Sequence, residues 1–171
     1  MIDRLISRKL EAEEKTLGAS LDYLRHLARV SKRAFFKFAL FTPLAAHRRV
    51  LPASACCVAR IVASRDEDCG TCLQIEVNMA RKQGVPAAVI RAVLDERVDA
   101  LGPELADVYR FADAVVGATG GEDSLRPRLV ARFGEEGLVE LALAIASSRV
   151  FPVTKRALGY ATSCARVEIE L

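Results

Sequence analysis

The sequence holds little that would mark it for export, for a bilayer or for nucleic acid. Its N-terminus, MIDRLISRKLEAEEK, alternates charge with leucine and has no uninterrupted apolar stretch, which predicts no signal peptide. No segment strings together the roughly 18 apolar residues of a membrane span. The richest stretches, Ala53–Ala63 and Leu138–Ala146, read as buried helices. Basic residues outnumber acidic ones by only 25 to 22. The clearest basic run, Lys32, Arg33 and Lys37, is interleaved with phenylalanines instead of forming an arm, so no nucleic-acid partner is expected. Convincing linkers, low-complexity segments and short repeats are missing as well. Histidine is scarce: His26 and His47 stand alone in sequence. These absences point to the cytosol, where thiols are kept reduced and a close cysteine pair is more often catalytic or metal-binding than structural.

What is present is a chain of 171 residues, 51% of them hydrophobic, enough to fold as a single domain over 1–171 without disulfide staples. Apolar residues recur at helical spacing, as in Leu17, Leu21, Leu24 and Ala28, then Val58, Ile61 and Val62, then Val108, Phe111, Ala112 and Val115. Strand-like alternation is absent over any useful length. Gly84, Pro86, Gly102-Pro103, Gly120-Gly121 and Gly134 punctuate the periodic segments. The pattern predicts an all-α domain with helices near 3–16, 20–40, 43–50, 53–65, 69–83, 86–95, 103–118, 123–133, 135–149 and 152–163. The stretch RAFFKFALFTP, from Arg33 to Pro43, is the most aromatic; its phenylalanines are expected in the core, a partner surface being the alternative.

The chemistry concentrates in DCGTCLQIEVNMARKQGVP, residues 68–86. The polar break SRDED, Ser64 to Asp68, ends one helix, and helical period resumes from Gly70, so Cys69 and Cys72 are expected in a first helical turn. There the unsatisfied amides and the positive end of the helix dipole favour thiolate over thiol. A two-residue gap lets one sulfur attack a substrate and the other resolve the adduct. Half of a zinc site is the competing reading, but zinc needs four ligands and Cys56-Cys57 are adjacent, not C-x-x-C spaced, so no metal or cofactor is expected.

The order of helix, polar break, C-x-x-C and a helix ending in ARKQGVP resembles the carboxymuconolactone decarboxylase family, and within it the alkylhydroperoxidase D-like branch. LGPELADVYRFADAVV and GLVELALAIASSRVFPVTKRALGY carry the likeness on, over about residues 40–163. The resemblance implies an all-helical fold, a homo-oligomer, and a peroxidase or disulfide reductase activity. Under it Cys72 attacks a hydroperoxide or disulfide, Cys69 resolves the adduct, and a dithiol reductant protein restores the pair. The peroxidases of the family carry C-x-x-C-x-x-x-H with a glutamate twelve residues before the first cysteine. Here those two positions are Glu76 and Cys57.

Glu76 lies one helical turn beyond Cys72. Ionised, it would disfavour a Cys72 thiolate; buried in an apolar pocket, it could serve as general base; otherwise it faces solvent or pairs with Arg81, Lys82 or another cation. Cys57 is expected as a packed core cysteine, a relay sulfur being the alternative, while Cys56 and Cys164 read as structural. Arg60, one turn after Cys57, is placed to reach the pair. Two other functions stand beside the oxidoreductase: a helical oligomeric module that senses oxidation or binds without turnover, and, suggested by the family name alone, decarboxylation of a lactone acid.

Overall fold

Helix α5, Ala53–Asp66, is the axis of the molecule, and it lacks a polar face because neighbours cover every side of it. All residues from Ala55 to Ser64 are buried, and Ala55, Ala59 and Ala63 form a row of methyl groups at four-residue intervals. Small residues along one ridge let adjoining helices approach closely. Around α5 pack α6 (Gly70–Lys82), α7 (Ala87–Leu94), α8 (Pro103–Gly117) and α9 (Glu122–Ala157), with a 3-10 turn at Val98–Ala100. The computed structural model describes residues 2–161 and 171. It is all-helical, as the periodicity predicts, with no strand among the described residues.

A second cluster lies toward the N-terminus, where α1 (Ile2–Leu17), α2 (Asp22–Val30) and α3 (Lys32–Phe38) bury Leu10, Leu21, Tyr23, Ala28 and Phe35 together. The short α4, Phe41–Ala45, leads from there to α9. Polar contacts fasten this cluster to α6: Asn78 Nδ2 donates to the Leu17 carbonyl at 3.2 Å, and the Lys82 ammonium donates to that of Thr16.

Several helix limits differ from those the sequence predicts. The expected helix 20–40 is two helices, because Ser31 is extended and its Oγ accepts from the Ala34 amide at 3.2 Å, capping α3. The expected helix 43–50 stops at Ala45, since the amides of Arg49, Val50 and Leu51 are taken by the Glu140 carboxylate instead of by a helix. Toward the C-terminus, the break expected near Gly134 is present (φ 72°), but the one at Pro152 is not: α9 carries Pro152 inside it and ends at Ala157. The rest of the expected 152–163 helix falls partly outside the described residues. α9 also holds an 18-residue window long and apolar enough to cross a membrane, which the sequence reading did not anticipate. Its Leu141, Ala144 and Ile145 sit in the main core. The aromatic stretch divides: Phe35 is buried and Phe38 packs edge-on to Phe151 at 5.7 Å, whereas Phe36 is 48% exposed.

Candidate functional site

Cys69 and Cys72 meet where α5 turns into α6. α5 ends at Asp66, Asp68 adopts a left-handed φ of 47° that aspartate tolerates, Cys69 occupies the N-cap of α6, and Cys72 stands in its first turn. The Leu73 amide donates to the Cys69 carbonyl at 2.9 Å, closing that turn around the pair. The sulfurs lie 2.8 Å apart. They are unequal in access: Cys69 is 2% exposed, whereas Cys72 is partly open to solvent.

The approach to Cys69 is held from α9. The buried carboxylate of Glu67 accepts from Arg149 Nε at 2.5 Å and lies 3.6 Å from Arg156, while Asp66 is 3.7 Å from the same Arg149. Sequence reasoning missed this clamp. Its only visible signal was an arginine inside the apolar run ALAIASSRVF, whose partner Glu67 lies 82 residues away.

Glu76 is buried, and its cation is Arg60. Arg60 Nε donates to Oε2 at 2.7 Å and Nη2 to Oε1 at 2.8 Å, a bidentate pair whose third donor, Nη1, reaches the Ala45 carbonyl at 2.5 Å. Burial opposes the charge on Arg60, but Glu76 more than offsets it and the pKa is raised. Neither an apolar pocket nor solvent surrounds Glu76, and both its oxygens are committed to the guanidinium. Of the readings open to it, the pairing observed is with another cation, Arg60, and not with Arg81 or Lys82. Arg60, expected to serve the cysteine pair, instead joins α5, α6 and the end of α4.

Cys57 is pushed up to about 12, first by burial and then by its neighbours Cys56 and Glu76. Cys56 is raised chiefly by burial. Both belong to the main core, as expected of packed cysteines. Cys164 lies outside the described residues. His47 is exposed in the segment capped by Glu140, and His26 faces the Tyr160 hydroxyl at 3.1 Å. Among the described residues no group of three or more His, Cys, Asp or Glu side chains could hold a metal.

A cleft of about 510 Å³ is lined by Ser20 and Tyr23 from the N-terminal cluster, Thr71 and Gln74 from α6, Lys155 from α9, and Tyr160, with neither Cys69 nor Cys72 in its lining. Thr71 and Gln74 share a face of α6, and Cys72 is turned roughly 100° from Thr71 about the helix axis. Tyr23 is 5% exposed, and its pKa is raised by burial and then by the nearby charges of Cys72 and Cys69, so the phenol keeps its proton. No family model, curated protein or solved structure matches the chain.

Proposed function

We propose that the protein is a thiol oxidoreductase of the alkylhydroperoxidase D-like type, in which Cys72 attacks a hydroperoxide and Cys69 resolves it. One observation carries this reading: two sulfurs 2.8 Å apart, one sealed and one partly open to solvent. The Cys72 thiolate attacks the peroxide oxygen, breaking the O–O bond to give a sulfenic acid and an alkoxide that takes up a proton. Cys69 then displaces hydroxide from that sulfur, forming the disulfide and water. Each sulfur gives one electron and the O–O bond takes two. A dithiol reductant protein returns the pair to thiols by exchange. A disulfide substrate would follow the same path with a thiolate leaving group. The setting is a thiol-reducing compartment such as the cytosol, and the acting form is a homo-oligomer.

The test is a stoichiometric dose of alkyl hydroperoxide followed by intact mass, then peroxide consumption over many cycles with dithiothreitol. The expected result is loss of two hydrogens, mapped to Cys69 and Cys72, and sustained turnover. Cys72→Ser should abolish both, and Cys69→Ser should stop at a sulfenic acid that dimedone traps. Full turnover in Cys72→Ser would refute the assignment.

One observation favours the second reading, a redox-sensing module without turnover: Glu76 is locked to Arg60 and unavailable for acid–base work. That reading predicts one round of oxidation and no cycling. Decarboxylation of a lactone acid finds no support, since that chemistry has no use for a dithiol.

A further inference from the structure

Between Asp22 and Asp66 the chain carries no acidic residue, yet it holds Arg29, Lys32, Arg33, Lys37, Arg48 and Arg49. The aromatic stretch of α3 and α4 lies inside this acid-free span. Ala39, Leu40 and Ala46 have right-handed helical φ and ψ, so the backbone runs nearly helically from Lys32 to Ala46, with a kink at Ala39 and Leu40. Its inner side is packed: Phe35 sits in the N-terminal cluster, Phe38 meets Tyr23 and Phe151 edge-on, and Phe41 lies against Phe38. Its outer side repeats apolar residues at four-residue spacing, and these are left in solvent, Phe36 at 48% exposure, Leu40 at 68% and Leu44 at 38%. Arg33 and Lys37 stand three residues before Phe36 and Leu40, so they share that outer side, and both are exposed. Among the described residues neither forms an ion pair, nor do Arg29, Arg48 or Arg49. Lys32 alone of the six is matched, by Asp3 at 2.9 Å.

We propose that the outer side of α3 and α4 docks on the surface of an anionic lipid bilayer. Phe36, Leu40 and Leu44 enter the boundary between headgroups and acyl chains, while Arg33 and Lys37 meet the lipid phosphates and carboxylates. The protein lies on the bilayer by this face and needs no spanning helix to do so. Charge complementarity selects the occupant, because an unmatched cationic face with no carboxylate in its own stretch of chain calls for a surface of the opposite sign. A second copy of the chain answers this poorly: a two-fold contact would set Arg33 and Lys37 against their own counterparts. A protein partner answers it less well than lipid, since lysine is depleted from protein interfaces, whereas phenylalanine and leucine interleaved with lysine and arginine suit the headgroup layer. The inference goes beyond the peroxidase reading and does not depend on it.

The test is sedimentation of the full chain with vesicles of phosphatidylcholine alone and of phosphatidylcholine with about 30% phosphatidylserine, at about 0.1 M salt. The protein should sediment with the anionic vesicles and not with the neutral ones. Arg33→Gln with Lys37→Gln should weaken that binding about 20-fold. Phe36→Ser with Leu40→Ser, at positions half or more exposed, should weaken it at least 10-fold while circular dichroism keeps the parent's helix content. Arg91→Gln with Arg110→Gln removes as much charge from exposed positions on α7 and α8 and should change binding less than about two-fold. Equal binding to neutral vesicles, or none to anionic ones, overturns the proposal. So does an equal loss in both charge variants, which would mean net charge alone. Full binding by the Phe36→Ser, Leu40→Ser variant would mean a purely ionic contact, of the kind an acidic protein or nucleic acid makes, and overturns it as well. Sedimentation velocity without vesicles closes the remaining route: an oligomer of the parent that the same variant dissociates would assign the face to a second copy and overturn the bilayer.

Discussion

Arg60 decides what Glu76 can be. A guanidinium and a carboxylate buried together are tolerable because each answers the other's charge, but either alone would be an uncompensated ion in the core. Arg60→Met should therefore destabilise the protein by about 3–5 kcal/mol, while the double change Arg60→Met with Glu76→Leu should recover most of that loss. Urea unfolding of the four species checks this, and additive losses would contradict the pairing. A second residue-scale prediction concerns the cysteines. With Cys57 pushed up to about 12 and Cys56 raised, both are neutral thiols at neutral pH and buried. Iodoacetamide mapping of the native protein should find Cys72 modified first, and Cys56 and Cys57 only after unfolding. The sequence made the Cys69–Cys72 pair legible, because spacing and helix start are local properties. It also drew attention to Arg60 and to Glu76 separately. Their partnership was not legible, since it joins two helices across 16 residues and depends on how α5 and α6 cross.

At the scale of elements, the periodicity located nearly every helix, and the limits misplaced near Ser31 and after Ala45 share one cause. A helix ends where something else claims its amides, and the claimant is often far away in sequence. Glu140, on α9, takes the amides of Arg49, Val50 and Leu51, about 90 residues distant, and so holds residues 46–52 out of a helix. Glu140→Ala should cost about 1–3 kcal/mol by leaving the buried Leu51 amide unmet and the two flanking amides without their partner. Its pH signature has a definite sign. Burial alone would raise the Glu140 pKa, but the backbone amides outweigh it and hold it below the usual carboxylate value of 4.5. The stabilisation is thus complete above about pH 4.5 and is lost as pH falls through the depressed value. Thermal melts from pH 7 to pH 3 should show a shallower acid decline in Glu140→Gln than in the parent protein.

The whole molecule is two apolar clusters of unequal size joined along α6 and α9. The N-terminal one is held by fewer buried residues and by an ion pair in which Arg25 meets both Glu14 oxygens at 2.5 Å. Arg25 and the Leu21 amide lower Glu14 to about 2, so this tie too is complete above about pH 4.5 and is lost as pH falls toward 2. Amide hydrogen exchange should reach α1–α3 well before α5 and α8, with the gap widening below pH 4.5 once rates are corrected for intrinsic exchange. Uniform protection across both clusters would contradict this. The alanine row of α5 sets a different kind of limit. Ala55, Ala59 and Ala63 are wholly enclosed, and larger side chains there would have to push a neighbouring helix outward. One of those neighbours is α9, the carrier of the Arg149 that steadies the turn before Cys69. A library varied only at those alanines would therefore be expected to lose stability steeply with side-chain volume, since nothing around three plain methyl groups can yield without moving a helix.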